Sequence, residues 1–382
     1  MKRINITLFA LMLLGILFSC TKASINYTQN GNWVARATWP GVQMGYGSAF
    51  VINNVAYVGL GINPLSPNAR LTAFYRYVPD SINYHLPNGY DSAYGKWTII
   101  APFAGSPRSN ACAFATEGIG YVGTGVGNDG FTPLADFWSY NPGSNSWSQI
   151  DSIHDDSTSY PRYDAVAWGF DTTGYVLTGT DNFYYFGDVW KYSPATGHWT
   201  QMTFLPGNQR SGATTWVYGN KGYILAGYTP GSRWAANNMC YDFWVYDPHA
   251  DAIGDPVHTW VRLHDIYNTN PATFDDGYTN IIRKYGTGFL IPATNNQYGN
   301  TRDKGYITLG QDGTSIGYTW EYDFATDLWT EKTPYEGTAR SGAVGFTLSN
   351  RGFVGTGLGT GNTAGFSDIE EFFPNQVYNQ FD

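Results

Sequence analysis

The sequence predicts an all-β fold, a single propeller of six blades with four antiparallel strands in each blade. One unit recurs six times along the 382 residues, and six copies of one supersecondary unit indicate a closed repeat architecture. Charged residues make up 13% of the chain and aromatic residues 17%, and there are 46 glycines. Such a composition favours many short strands joined by tight turns over disorder or long helices.

The first strand of each unit is a stretch of small residues that begins at an arginine in five copies and ends on an aromatic residue. Small side chains suit strands whose backbones converge on one axis, so we predict that these strands are innermost. The six copies are Met44–Phe50, Arg108–Phe114, Arg162–Trp168, Arg210–Trp216, Arg283–Phe289 and Arg340–Phe346.

The second and third strands follow turn signals such as Asn53-Asn54 and Lys221-Gly222, which are typical of hairpins. The second strand has an aromatic residue, then Val or Ile, two variable residues and a glycine. The third strand has an aspartate followed by aromatic residues in its clearest copies. These copies are Asp136–Tyr140, Asp188–Tyr192 and Asp242–Tyr246, with looser forms at 75–77, 320–322 and 368–372.

The fourth strand begins near a tryptophan in five units, at Trp97, Trp147, Trp199, Trp260 and Trp329. A sixth tryptophan, Trp33, precedes the first inner strand, and the last unit has none of its own. We therefore predict that the strand at Trp33 completes the sixth blade beside residues 368–372, which leaves the ring without an open edge. The propeller is assigned to residues 33–374 and a C-terminal tail to 375–382.

These motifs resemble the Kelch repeat over essentially the whole chain after the N-terminal segment. The resemblance lies in Arg-Ser-x-Ala, Tyr-Val-Gly-Thr-Gly, Asp-Phe-Trp-x-Tyr-x-Pro and the trailing tryptophan. The Gly-Thr-Gly form at 123–125 and 355–357 is similar to exported bacterial Kelch lipoproteins. The resemblance implies a fold shared with galactose oxidase and N-acetylneuraminate epimerase, but a fold of this kind does not specify a function.

The N-terminus has the pattern of a targeting segment. Lys2 and Arg3 precede an apolar stretch, Ile4–Phe18, that is short for a membrane span, so residues 1–19 are predicted to be a signal peptide. Leu17–Cys20 resembles a bacterial lipobox, which predicts lipidation of Cys20, a tether over 20–32 and a location at the outer membrane of the cell envelope. The alternative is an ordinary cleaved signal peptide.

Net charge and cysteine content limit the partners. A net charge of -9 argues against nucleic acid, because binding to phosphates needs a basic surface. Cys112 and Cys240 are expected to be unpaired thiols. The chain shows no repeated metal-ligand spacing, so we expect no metal or other cofactor, and we expect a monomer.

The arginines that open the inner strands are the first candidate site. They are Arg108, Arg162, Arg210, Arg283 and Arg340, and they could present guanidinium groups to an acidic ligand at the mouth of the channel. The Kelch resemblance supports this interpretation, because Kelch domains that bind acidic peptides or sialic acid use this face. Alternatively they pair with the third-strand aspartates, since the first blade lacks both residues. Arg283 faces Tyr318 in place of an aspartate and is therefore the preferred ligand candidate.

Loops on the same face supply the second set of candidates. Asp275 and Asp276 lie in a long insertion before Arg283, together with Asp265. Aromatic loop residues could stack on the faces of sugar rings, or they could pack the loops against each other. These residues are Phe131, Tyr184, Tyr185 and Trp234, with Phe183 beside them.

The leading hypothesis is a non-catalytic module that binds a glycan or a partner protein through the arginine-bearing face. The resemblance to N-acetylneuraminate epimerase implies an alternative, a cofactor-free epimerase or mutarotase that acts on an acidic sugar such as sialic acid. Asp265, Asp275 or Asp276 would be its base, near Arg283. The resemblance to galactose oxidase does not extend to its copper ligands, so a copper oxidase is not expected.

Overall fold

The computed structural model describes residues 30–66, 69–80, 95–155, 158–231, 234–267, 278, 280–293 and 300–379. Within them the chain forms six four-stranded antiparallel sheets that are arranged as the blades of a propeller. In each of the first five blades, sequence order gives the order from the inner strand to the outer strand. The predicted fold class is therefore confirmed.

The inner strands are Ser48–Ile52, Cys112–Thr116, Val166–Phe170, Thr214–Tyr218, Thr287–Ile291 and Val344–Leu348. The second strands are Val55–Gly59, Ile119–Gly123, Thr173–Leu177, Lys221–Leu225, Lys304–Thr308 and Arg351–Gly355. The third strands are Phe74–Val78, Phe137–Asn141, Val189–Ser193, Trp244–Tyr246, Thr319–Asp323 and Ile369–Val377. The fourth strands are Lys96–Ile99, Ser146–Ile150, His198–Gln201, Trp260–Arg262, Leu328–Lys332 and, in the sixth blade, Asn30–Ala35.

The N-terminal strand closes the ring. Trp33 lies opposite Phe372 in an antiparallel ladder that extends from Ala35 and Glu370 to Asn30 and Val377. The paired strands therefore reach three residues beyond the predicted bounds at both ends of the propeller. Because the sixth blade draws strands from both ends of the chain, it joins the first and last described segments by main-chain hydrogen bonds.

The fourth-strand tryptophans pack on the aromatic residue opposite them in the third strand. Trp199 lies opposite Tyr192, with ring centroids 5.1 Å apart, and Trp33 lies 4.6 Å from the ring of Phe372. Neighbouring blades are joined by the aromatic residue of the inner strand, which covers a glycine of the next blade. A Cβ added to Gly120 would collide with the Phe50 ring, so only glycine fits there.

The inner strands begin four residues after the arginine positions, which is later than the sequence predicts. The residue two places after each of the five arginines, and after Met44 in the first blade, has a positive φ, which interrupts the strand. These residues donate and accept main-chain hydrogen bonds head to tail around the axis, with N···O distances from 2.8 to 3.5 Å. In chain order the six members of this axial ring are Tyr46, Asn110, Asp164, Gly212, Tyr285 and Gly342.

Other secondary structure within the described residues is minor. One five-residue helix, Pro248–Ala252, follows the N-cap Asp247, and Thr360–Asn362 forms a 3-10 turn. Short two-stranded ladders lie in the loops, at 108–109 with 126–127, at 235–236 with 239–240, and at 311–312 with 314–315. No helix in this part of the chain is long and apolar enough to cross a membrane. Cys112 and Cys240 are buried free thiols, and burial raises the pKa of each to about 11.

Candidate binding site at the channel mouth

The five arginines of the repeat are buried side chains, and none exposes more than 1% of its surface. Four of them pair with the third-strand aspartate of their own blade, as the structural interpretation of the sequence predicts. The pairs are Arg108 with Asp136, Arg162 with Asp188, Arg210 with Asp242, and Arg340 with Asp368. The expected open ring of guanidinium groups is therefore wrong.

Arg162 shows how completely each guanidinium is used. Its two Nη atoms donate to the two carboxylate oxygens of Asp188 at 2.6 and 2.7 Å, and Nη1 also donates to the carbonyl of Thr178 at 3.1 Å. Trp190 donates its indole N–H to the same carboxylate at 2.6 Å. A buried, fully hydrogen-bonded ion pair of this kind holds the strands in register and does not present the guanidinium to a ligand.

Arg283 lacks the carboxylate but is also buried. Its donors reach the main-chain carbonyls of Asn280, Ile281, Leu309 and Tyr318 at 2.5 to 2.9 Å. Burial lowers the pKa of this guanidinium, because the charge is desolvated without a paired anion. The preferred ligand candidate of the sequence is thus a structural residue that ties loop carbonyls together.

The acidic candidates near Arg283 do not form a site with it in the described residues. Asp275 and Asp276 lie outside those residues. Asp265 accepts a bidentate pair of hydrogen bonds from Arg262, with a shortest distance of 2.8 Å. Burial raises the pKa of Asp265, and Arg262 opposes that rise.

The sixth blade carries an acid where other blades carry a tryptophan. Glu370 occupies the position from which Trp138, Trp190 and Trp244 donate to their aspartates. One carboxylate oxygen of Glu370 is buried without a hydrogen-bond partner. Desolvation and the nearby charge of Asp368 raise the pKa of Glu370 to about 8, so the side chain is protonated at neutral pH.

The aromatic loop candidates divide into two groups. Phe131, Phe183 and Tyr184 are 63%, 79% and 70% exposed, and the loops that carry them touch, since Asn182 donates to the carbonyl of Phe131 at 3.0 Å. Tyr185 is half-buried, with its ring 5.9 Å from that of Tyr228. Trp234 instead packs under the Arg262 guanidinium, 4.8 Å from the ring, and beside Trp244.

The axial ring and the residues after it line a cavity of about 130 Å³ on the same face. Small residues such as Gly47, Ala111, Ala165 and Gly286 line part of it. All six members of the axial ring line it as well, and Asp164 is the ionisable acid among the lining residues. Polar groups therefore converge on a small concave space at this face.

Asp164 is held by two other members of the ring, Asn110 beside it and Tyr285 beyond Gly212. Asn110 donates from Nδ2 to one carboxylate oxygen at 2.6 Å, and the hydroxyl of Tyr285 donates to the other at 2.9 Å. The residue is 7% exposed, and burial raises the pKa of the carboxyl to about 6, whereas both hydrogen bonds and Lys284 oppose the rise. Each oxygen keeps a lone pair that a ligand hydroxyl could use.

Two tyrosines extend over the glycines of the ring. Cβ atoms added to Gly212 and Gly342 would lie 2.7 Å from the Tyr285 ring and 2.6 Å from the Tyr46 ring. Both glycines also have φ near +60°, so a side chain there would be strained as well as crowded. The two rings meet edge to face with centroids 5.0 Å apart, and the glycines allow them to lie there.

Lys284 is the cation nearest to this cluster among the groups that influence Asp164. Its ammonium lies 4.8 Å from the centroid of the Tyr228 ring and 5.4 Å from that of Tyr285. Tyr163, next to Asp164 in the chain, donates its hydroxyl to Asn182 at 2.9 Å. Tyr163 thus connects the segment that carries Asp164 to the loop that carries the exposed Phe183 and Tyr184.

Asp164 was missed by the sequence reasoning, although the repeats contain a signal for it. The position two residues after the arginine reads Tyr, Asn, Asp, Gly, Tyr and Gly, whereas the position that follows it is Gly or Ala in all six copies. Variation at one position of a rigid repeat marks the place where the copies differ in surface chemistry. No group of three or more His, Cys, Asp or Glu residues in the described part of the chain could hold a metal ion.

Comparison with known proteins identifies the fold. No protein-family model matches the chain, and no curated protein matches it. Among solved structures, that of YjhT superposes with a TM-score of 0.62 at 16% sequence identity, and the match covers 87% of this chain and 96% of YjhT. At that identity the similarity shows a shared architecture, and the chain accordingly has the six-bladed β-propeller fold.

Proposed function

We propose that this chain is a carbohydrate-binding propeller of the Kelch type, exported and anchored to the outer membrane through a lipid on Cys20, and active as a monomer. Its ligand is a glycan at the channel mouth, bound through the axial cavity and the adjoining loops of the second and third blades. A partner protein at the same face is the other ligand class consistent with the exposed aromatic residues.

The observation that carries the proposal is the position of exposed rings beside a polar cavity. Phe131, Phe183 and Tyr184 present the apolar faces of their rings to solvent. Covering these rings with a ligand would remove apolar surface from water, which is favourable. Sugar rings offer apolar C–H faces to such side chains, while their hydroxyls need acceptors such as the Asp164 carboxylate. Both kinds of contact are available within one face of the propeller.

A glycan array with the protein lacking residues 1–32 tests this proposal. We expect binding that falls about ten-fold in the double variant Phe183→Ala, Tyr184→Ala, because stacking contacts to exposed rings contribute about 0.5–1.5 kcal/mol each. The matched control is Leu328→Ala, an exposed apolar residue of a fourth strand, which should leave binding unchanged. If no glycan gives a signal and a defined protein is captured instead, the ligand of this face is a protein and the glycan proposal is wrong.

One observation favours a second candidate, the cofactor-free epimerase or mutarotase of an acidic sugar such as sialic acid. Asp164 lies in a cavity, is hydrogen-bonded to the Tyr285 hydroxyl and has a pKa of about 6, which suits a group that accepts and returns a proton near neutral pH. Opening of a cyclic sugar at its anomeric carbon needs such a base and acid. Asp164 therefore replaces Asp265, Asp275 and Asp276 as the proposed catalytic base.

Exchange of anomers, followed by NMR on freshly dissolved N-acetylneuraminic acid, tests the second candidate. An enzyme would accelerate the approach to the anomeric equilibrium, and Asp164→Asn would abolish the acceleration while leaving the fold intact. A rate equal to that in buffer alone, on acidic and neutral sugars alike, leaves the binding module as the function.

A further inference from the structure

We propose that the channel mouth discriminates against acidic sugars and selects uncharged ones, because Asp164 places a carboxylate where an acidic sugar would bring a second negative charge. This inference rests on the proposed carbohydrate binding, since it names the class of glycan that the same site takes, and it argues against the acidic-sugar enzyme that is the second candidate. It rests on three features of the described residues, which concern the arginines, the carboxylate and the one nearby lysine.

The arginines offer no positive charge to a ligand. Each of the five is at most 1% exposed, and four of them are neutralised by an aspartate within 2.8 Å. The guanidinium of Arg283 donates hydrogen bonds to four main-chain carbonyls. A face that looks basic in the sequence is therefore not basic where a ligand would approach it.

The carboxylate of Asp164 is held in position as an acceptor. Asn110 and Tyr285 each occupy one of its oxygens, which fixes the carboxyl plane within the rim of the cavity. An ionised carboxylate has about four acceptor sites, so two adjacent sugar hydroxyls could each donate to it. Hydrogen bonds to a charged acceptor are stronger than neutral ones, and a ligand carboxylate would have to forgo them.

The groups that face Asp164 from the packed elements are tyrosines and one lysine. Tyr46, Tyr163, Tyr185 and Tyr285 carry no charge at neutral pH, because burial raises the pKa of each and the nearby charge of Asp164 adds to the rise. Lys284 lies over the rings of Tyr228 and Tyr285 and offsets part of the negative potential. One partly engaged lysine cannot both balance Asp164 and bind a second anion with equal strength.

Lowering the pH should therefore weaken the discrimination between uncharged and acidic sugars. Asp164 takes up a proton near pH 6, which removes the repulsion of an anionic ligand and also removes the charged acceptor for hydroxyls. The affinity for uncharged sugars should fall and that for acidic sugars should rise as the pH decreases through this value. A site built on arginine would show no such dependence over this range, since guanidinium groups stay charged.

Matched ligand pairs that differ only in the carboxylate test the inference on the protein lacking residues 1–32. Galactose and galacturonic acid, glucose and glucuronic acid, and the methyl ester and the free acid of N-acetylneuraminate serve as pairs in titration calorimetry. At about pH 7.5 we expect the neutral member of each bound pair to bind roughly ten-fold more tightly, and at about pH 5 we expect the ratio to approach one.

Two variants separate the charge of Asp164 from other effects. Asp164→Asn keeps the size of the side chain and should remove both the discrimination and its pH dependence. Asp171→Asn removes the same charge at an exposed position on the opposite face and should preserve both. Thermal unfolding of both variants establishes that they are folded.

The outcomes distinguish this inference from the proposed function. If the acidic members bind as tightly as the neutral ones, or more tightly, at about pH 7.5, carbohydrate binding stands and the inference is overturned. If neither member of any pair binds and the array is silent, both fail. Discrimination that persists unchanged in Asp164→Asn would also overturn the inference, since the charge would then not be its cause.

Discussion

The arginine layer and the axial ring lie two residues apart in each of the five repeats that carry the arginine, yet they have opposite roles. The arginines are nearly invariant among the blades and are buried against aspartates and carbonyls. The axial ring varies from glycine to tyrosine to aspartate and lines the cavity. In a propeller the uniform positions build the scaffold, whereas the positions that vary from blade to blade give the channel mouth its chemistry.

The largest expected effect comes from breaking the scaffold layer. Arg162→Ala leaves the carboxylate of Asp188 buried, with 5% of its side chain exposed and no cationic partner in its own blade, and should lower the free energy of unfolding by about 3–5 kcal/mol. Urea denaturation measures the change. Ligand affinity per folded molecule should be unaltered.

Arg283→Met is the matched comparison within the same layer. The substitution removes a guanidinium that has no paired aspartate in its blade. Main-chain carbonyls then lose a hydrogen-bond donor, but no buried carboxylate loses its cationic partner. We expect a loss of about 1–3 kcal/mol, smaller than that of Arg162→Ala. A larger loss at Arg283 would contradict the view that the aspartate pairs dominate this layer.

The next effect concerns Glu370, which departs from the uniform pattern inside the scaffold. Its pKa is raised to about 8 in the folded state, so the unfolded chain releases this proton at lower pH, near the usual value for glutamate. The contribution of Glu370 to stability is therefore fully present below about pH 4.5 and is lost as the pH rises to about 8.

Glu370→Gln should remove that dependence and stabilise the protein by about 1–3 kcal/mol at about pH 8.5, with little change at about pH 4. Thermal melts of both proteins across this range provide the measurement. Parallel curves at all pH values would show that the buried oxygen of Glu370 is not a site of differential protonation.

The smallest expected effect on stability comes from the axial ring, where the effect on ligand binding should be the greater one. Gly342→Ala introduces a Cβ at a φ of +63°, 2.6 Å from the Tyr46 ring and 2.8 Å from the Tyr46 main-chain nitrogen, which should cost about 1–2 kcal/mol and displace Tyr46. Carbohydrate affinity should fall several-fold. Gly219→Ala, at a φ of +57° with open space around its Cβ, controls for the backbone strain alone.

Much of the architecture could be predicted from the sequence because the repeat is explicit. The six-fold recurrence of aromatic and glycine positions defines the strands, and the unmatched Trp33 predicts a partner near Phe372, which the register places directly opposite. The co-occurrence of arginine and aspartate in four blades also indicates their pairing. These features follow from local patterns that each blade repeats.

The site could not be predicted in the same way because its residues are distant in sequence. Asp164 meets Asn110 from the second blade and Tyr285 from the fifth, 121 residues away. Arg283 was misjudged because its missing aspartate suggested a free charge, whereas main-chain carbonyls satisfy it. Patterns of side chains do not reveal how many carbonyl groups a folded loop will aim at one position.

The outermost strand of the sixth blade has a consequence for synthesis. Residues 30–35 leave the ribosome first among the described segments, yet the segment they pair with, 369–377, is made only after all the other blades. The first five blades can therefore form while residues 30–35 have no partner strand. Closure of the ring comes late, because it must bring together two segments that are far apart in the sequence. Truncation of even the last dozen residues should therefore release the start of the chain as well as its end.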